Sequence, residues 1–191
     1  YEGLIKYDGL QFRFYLKELP SPYVKDLYKT SEGRLFVLTD LGLNEIISKP
    51  HSTEIKKMLE GKIGPEPGAL CYPKKVFEDR SGSLWISEPN SITKYDFNTS
   101  KRYFFKEDPA SDNFSHSYVF FEDQNGLPWV LSYYGRLYRY NSASDRFDLV
   151  KQYKKLQSSS CVLEEAPNTF LFGAQHGVFR MSIRNKEPEL S

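Results

Sequence analysis

The 191-residue chain carries only two cysteines, two tryptophans, two methionines and three histidines. No apolar run approaches the ~18 residues that cross a bilayer as a helix, and no segment reads as a signal peptide. No membrane contact is therefore expected within this stretch. Cys71 and Cys161 lie far outside C-x-x-C spacing, so two independent, half-buried thiols are expected rather than a metal pair. His51, His116 and His176 likewise never pair at metal-ligand spacing, and there is no G-x-S-x-G elbow. No metal, cofactor or catalytic constellation is expected. An excess of one charge is missing too: 26 Lys and Arg face 25 Asp and Glu, for a net charge of +1. A nucleic-acid partner would need a clustered basic face. The pairs Lys56-Lys57, Lys74-Lys75 and Lys154-Lys155 are instead scattered, as on a solvated surface.

What the chain does have is aromatics, 14 Tyr and 14 Phe, which favour pleated, half-buried strands. It also has internal repetition. Residues 76–108 read VFEDRSGSLWISEPNSITKYDFNTSKRYFFKED, four short strands separated by turn chemistry. The first turn, Asp79-Arg80-Ser81-Gly82, has Asp where a turn is capped and Gly where it closes in the left-handed region. Thr30-Ser31-Glu32-Gly33, Asp123-Gln124-Asn125-Gly126 and Glu165-Ala166-Pro167-Asn168 occupy the same slot, with Asn168 the best non-Gly substitute. Their fourth residues are 49 (33 to 82), 44 (82 to 126) and 42 (126 to 168) apart. A buried strand follows each turn, as in Leu84-Trp85-Ile86 and Pro128-Trp129-Val130-Leu131.

Four strands repeated at this period predict an all-β fold, a β-propeller of four-stranded antiparallel blades. About four to five blades are expected, as an arc or fragment of a larger, seven-bladed ring. The whole of 1–191 reads as one propeller segment. It comprises the back half of a blade at 1–19, a blade at 22–70 and blades at 73–110 and 116–155. An incomplete blade at 158–184, ending in a third strand, follows. Residues 50–73 depart from the pattern and are expected to form an inserted loop, with a helical turn or two over 54–60. The chain opens at Tyr1 in mid-pattern, so its start is expected to be a cut.

VFEDRSGSLWISEPNSITKYDFNTSKRYFF resembles the two-component regulator propeller repeat, V-x-x-I-x-E-D-x-x-G-x-L-W-I-G-T-x-x-G-L-x-R-Y-D-P. VFFEDQNGLPWVLSYYGRLYRYNSASDRF follows more loosely, while Phe36 and Leu171 replace the Trp in the outer copies. The resemblance implies the sensor region of Bacteroidetes hybrid two-component histidine kinases. A periplasmic location and a partner in the rest of the parent kinase follow from it, as does an oligo- or polysaccharide ligand. A non-catalytic interaction or dimerisation scaffold, with a homodimer as partner, is the alternative. An enzyme, a lyase or glycosidase, ranks third: the pairs Glu78-Asp79 and Glu122-Asp123 have the residue types for glycoside chemistry, but sit where turns are capped. Trp85 and Trp129 are expected to pack between blades.

Ligand contacts are placed where a propeller gathers its second-to-third-strand turns and blade connections on one face. Those turns supply Asp40, Glu88, Asn90, Tyr133, Tyr134, Gln175 and His176, and a connection supplies His116. Tyr133-Tyr134 carries the strongest signal, because exposed tyrosines stack on sugar faces with hydroxyls free to bond.

Overall fold

The computed structural model describes residues 3–15, 17–49, 52–64, 66, 68–105 and 117–191. Its residues form two compact units, 1–89 with 93–101, and 90–92 with 102–191. In the first, β1 (Leu4–Tyr7) and β2 (Phe12–Tyr15) make a two-stranded ribbon. A five-stranded sheet follows from β3 (Val24–Lys29), β4 (Leu35–Thr39), β5 (Gly42–Ser48), β6 (Thr53–Lys62) and β7 (Leu70–Cys71). The next sheet orders β8 (Lys75–Glu78), β9 (Leu84–Glu88), β10 (Ser91–Tyr95) and β11 (Ser100–Phe104) in sequence; the division between units runs through it.

In the second unit, β12 (Val119–Glu122), β13 (Pro128–Leu131), β14 (Arg136–Asn141) and β15 (Arg146–Gln152) form an antiparallel meander. After a 3-10 turn, Lys154–Leu156, comes another: β16 (Cys161–Ala166), β17 (Thr169–Ala174), β18 (Gly177–Arg184) and β19 (Glu187–Leu190). Four-stranded antiparallel meanders, consecutive in sequence, are propeller blades, and the fold is of that class.

Blade-on-blade packing supplies the cores. Phe121, Trp129 and Leu131 pack with Phe170, Phe172 and Met181 in the second unit. In the first, Phe36 and Leu38 pack with Val76, Leu84 and Ile86. The turn residues behave as their chemistry dictates. Gly33, Gly82 and Gly126 have φ of 84°, 81° and 71°, and each donates its N–H back to the first turn residue at 2.9 Å. Asn168 takes the same slot at φ 59°. Pro128, lacking an N–H, is the first residue of its strand, where no donor is lost from the middle of the ladder.

Two expectations are corrected. Residues 54–60 are not helical: Thr53–Lys62 is a ten-residue strand paired along β5, and β7 then runs parallel to it. Pairing overrides the helical propensity of the Glu, Lys, Met and Leu in this stretch. So 50–73 is not a simple loop; the described part carries two strands. The last blade also has its fourth strand, since β19 pairs with β18 across a two-residue turn. Asn185 and Lys186 both have positive φ, 51° and 66°, the type I′ geometry that matches strand twist.

Candidate functional site

The acid pairs have the residue types of a catalytic site, but the carboxylates of Glu78, Asp79 and Asp123 are engaged by turns. Asp79 Oδ1 accepts the N–H groups of Ser81 and Ser83 at 3.0 and 2.9 Å, so it caps its own turn. Its Oδ2 accepts the Trp85 indole N–H at 2.8 Å, with the Lys94 ammonium 3.3 Å away. Burial pushes the Asp79 carboxyl up, but the bonds from Ser81, Trp85 and Ser83 and the charge of Lys94 outweigh it and hold the group below its usual range. Asp123 repeats the arrangement, accepting Asn125 and Leu127 N–H and the Trp129 indole. Glu78 reaches across to the neighbouring turn, binding Ser31 N–H at 2.7 Å and its hydroxyl at 3.0 Å. Trp85 and Trp129 are 1% and 0% exposed, so neither presents a face to a sugar.

The second-to-third-strand turns of the second unit look different. Tyr133 and Tyr134 are half-buried and meet edge to face, ring centroids 5.6 Å apart at 88°. Their turn is fixed by the connection to the next blade. Tyr153 N–H donates to Gly135 O at 2.7 Å, Ser158 N–H to Tyr133 O at 2.8 Å and the Gln152 amide to Tyr134 O at 3.2 Å. Gly135 is obligatory here: at φ 74°, a Cβ would lie 2.2 Å from Tyr153 O. The far end of the same connection holds the next turn's strand, with Ser160 N–H donating to Gly173 O at 3.0 Å. Beyond it Gln175 and His176 are exposed. Both turns are thereby tied to the two ends of residues 153–160. Asn90 is also exposed, and its carbonyl accepts Phe105 N–H at 3.5 Å.

In the first unit the expected contacts are less open. Glu88 is not a turn-surface residue: it closes β9, is 0% exposed, and its oxygens accept Cys71 N–H at 2.6 Å and the Thr93 hydroxyl at 2.5 Å. The corresponding slots hold small hydroxyls, Thr39 and Ser132, which cap their own turns. A carboxylate committed to two internal donors is a clamp on β7. Asp40 is half-buried, and its Oδ1, shielded from solvent, accepts no hydrogen bond from the described residues. Lys74, read from sequence as solvated surface, is half-buried at the same end, its N–H bonded to Ser87 O at 2.8 Å. Burial lowers its ammonium pKa first, repulsion from Lys25 lowers it further, and Asp40 opposes both. Its place just ahead of β8, on a blade connection, was the signal that could have marked it. His116 lies outside the described residues.

Cys71 and Cys161 are both free thiols, the first half-buried as expected, the second exposed. Among the described residues no group of three or more His, Cys, Asp or Glu could hold a metal ion, and no helix is long and apolar enough to cross a membrane.

No family model and no curated protein sequence matches the chain. Solved structures do share its fold. The extracellular domain of BT4673 from B. thetaiotaomicron, described as a candidate one component system, superposes with a TM-score of 0.68 at 17% identity. The match covers 96% of this chain and 25% of that one. The extracellular domain of BT3049 from the same organism, a candidate hybrid two component system, gives 0.67 at 16% identity over 99% and 25% of the two chains. Apo AztD from Citrobacter koseri gives 0.58 at 11% identity over 88% and 46%. The chain thus spans about a quarter of the length of the two B. thetaiotaomicron domains. The resemblance read from the repeat motif is met, at the level of fold, by extracellular domains of one component and hybrid two component systems.

Proposed function

We propose that this chain is part of an extracytoplasmic sensor that recognises an oligosaccharide and passes the binding signal to a kinase elsewhere in the parent protein. The carrying observation is the Tyr133–Tyr134 pair, an edge-to-face aromatic unit on a turn whose backbone is held by three hydrogen bonds. Such a turn gives up little entropy when it binds, and tyrosines combine an apolar ring with a hydroxyl. Gln175 and His176, exposed beyond the other end of the same connection, add polar groups suited to sugar hydroxyls. The fold likeness to extracellular domains of sensor systems supports the periplasmic, signalling part of the reading. Recognition without turnover fits the acid pairs, whose Asp carboxylates are committed to turns and indoles.

The test is glycan-array screening followed by calorimetry of the best ligand against wild type and Tyr134→Ala. A loss of roughly tenfold or more in affinity with an unchanged melting curve is expected. Unchanged affinity would remove Tyr134 from the site, and hydrolysis or elimination of the glycan would replace sensing by catalysis.

A second reading, a protein-interaction surface, has its own observation. On one face of the β1–β2 ribbon, Ile5, Tyr7, Phe12 and Phe14 are 40%, 58%, 66% and 51% exposed, and Tyr7 stacks on Phe12 at 4.6 Å. Self-association through this face predicts a concentration-dependent dimer in sedimentation that Phe12→Ser abolishes.

A further inference from the structure

The opposite face of the β1–β2 ribbon has a different chemistry. Lys6 and Arg13 are direct cross-strand partners, so their side chains emerge from the same face, side by side. Like charges in that position repel and weaken a ribbon. Neither is in an ion pair with a carboxylate among the described residues, and both line a cleft of about 380 Å³ between the ribbon and the start of β6. The volume is that of a small-molecule site.

Two other charged groups line this cleft. Lys49 is bound to Glu54 at 2.7 Å. Asp8, the carboxylate in the lining, turns its Oδ1 to the N–H groups of Leu10 and Gln11 at 2.9 and 2.8 Å. Those backbone bonds, Gln11 first, lower its carboxyl pKa, with a smaller pull from the Lys6 charge, so it stays ionised as the ribbon's turn cap. Asp8 thus acts on Lys6 without forming an ion pair, and the cations of the lining, Lys6, Arg13 and Lys49, still outnumber it. The Arg13 guanidinium lies 5.2 Å over the Tyr15 ring, which restrains it against the wall. Tyr15, 1% exposed, is itself pinned by donating its hydroxyl to Thr53 Oγ1 at 2.9 Å. Gln11, Ser52 and Thr53 supply amide and hydroxyl groups to the same cleft.

We propose that this cleft binds an anionic saccharide, one bearing a carboxylate or a sulfate ester. The acid group would sit between Lys6 and Arg13, and the ring hydroxyls would meet Gln11 and Ser52. A planar guanidinium backed by an aromatic ring suits either oxyanion in two-point contact, with the ammonium as a second charge. Polar side chains around the cations distinguish the cleft from a bare phosphate trap, because they suit a polyhydroxylated body.

The chain is titrated calorimetrically with four probes. They are a tetrasaccharide alternating glucuronate and N-acetylglucosamine, a sulfated neutral tetrasaccharide, a neutral glucose tetrasaccharide and inorganic sulfate. Binding of the uronate or the sulfated sugar at least tenfold tighter than the neutral one, and weakened by salt, is expected. The stronger of the two identifies the acid group. Lys6→Gln with Arg13→Gln should abolish the preference while leaving the melting curve unchanged or raised, since repulsion is relieved. Lys154→Gln with Lys155→Gln, an equal loss of charge at exposed sites elsewhere, should bind as wild type. Lys6→Glu, which gives Arg13 a cross-strand partner, should fold and lose binding, and it stands in if the double variant unfolds. Equal affinity for the neutral sugar, inorganic sulfate binding as tightly as the charged sugars, or binding untouched by Lys6→Glu would each overturn the assignment.

Discussion

The Trp85 indole donates to Asp79 Oδ2 at 2.8 Å while Lys94 sits 3.3 Å from that oxygen and 5.2 Å above the indole ring. The next blade repeats it with Asp123, Trp129 and Arg139, the guanidinium 5.6 Å from the ring. The acid, the tryptophan six residues on and the third-strand cation of the repeat are thus one device. It caps the hairpin, satisfies the buried indole and lays a charge over its face. This explains why an acid recurs ahead of the glycine at a fixed distance from the tryptophan.

Removing the acid should expose that dependence. Asp79→Ala leaves two turn N–H groups and a buried indole without their acceptor, at a cost of about 3 kcal/mol. Asp79→Asn keeps an oxygen for the turn but sets an amide against the indole donor, so about half that loss is expected. The folded-state pKa of Asp79 is depressed, so its contribution is complete above the unfolded value near 3.8 and fades as pH falls through the folded one. Denaturant melts between pH 7 and 3 should show a shallower acid-side decline for Asp79→Asn than for wild type.

The repeat was readable because its signals are local. A residue such as Gly82 or Asn168 is selected by its own φ, 81° and 59°, and shows in the sequence as a letter at a fixed offset. What escaped was set by pairing at a distance. The segment Thr53–Lys62 has helix-forming letters and becomes a strand because β5 offers it an edge. β19 hides behind Pro188 and a type I′ turn with Lys at its second position, where glycine is usual. Glu88 looked like surface because its letter is charged; only the fold shows that Cys71 and Thr93 supply its donors. The Lys6–Arg13 juxtaposition depends on ribbon register, which composition does not carry.

Two glycines separate strain from collision. Gly82, at φ 81°, has nothing within 4 Å of the point where a methyl group would stand, so Gly82→Ala should cost only the left-handed penalty, about 1 kcal/mol. Gly135, at φ 74°, would drive its methyl to 2.2 Å from Tyr153 O. Gly135→Ala should cost about 3 kcal/mol or more, as overpacking adds to strain. It should also displace Tyr133 and Tyr134, so glycan affinity falls with stability. Urea melts and calorimetry on the two variants check both statements.

The alkaline limb of stability has a named contributor. Tyr103 and Tyr140 both donate to Asp145 Oδ1, at 3.1 and 2.8 Å, with their rings edge to face. Burial, then the neighbouring Tyr140, pushes the Tyr103 phenol up to about 12. A raised folded-state pKa means the stability it contributes is intact below the unfolded value of 10.0 and is lost as pH rises toward 12. Tyr103→Phe should lose about 1 kcal/mol at neutral pH with the missing hydrogen bond. Its stability should then fall less than wild type between pH 9 and 11, which denaturant melts across that range measure.

Glu88 decides whether a charged residue near a candidate recognition turn recognises anything. Its carboxylate is 0% exposed and bound to Cys71 N–H and the Thr93 hydroxyl, so both oxygens already have donors. Glu88→Ala opens a cavity and strands both donors, for a loss of about 3 kcal/mol. Glu88→Gln retains one acceptor and should lose less. Because neither oxygen faces a ligand, glycan affinity measured on the folded fraction of Glu88→Gln should match wild type. A tenfold loss of affinity in a variant that melts normally would return Glu88 to the binding site and make its burial a closed state that ligand must open. Calorimetry beside a thermal melt of the same sample separates the two outcomes.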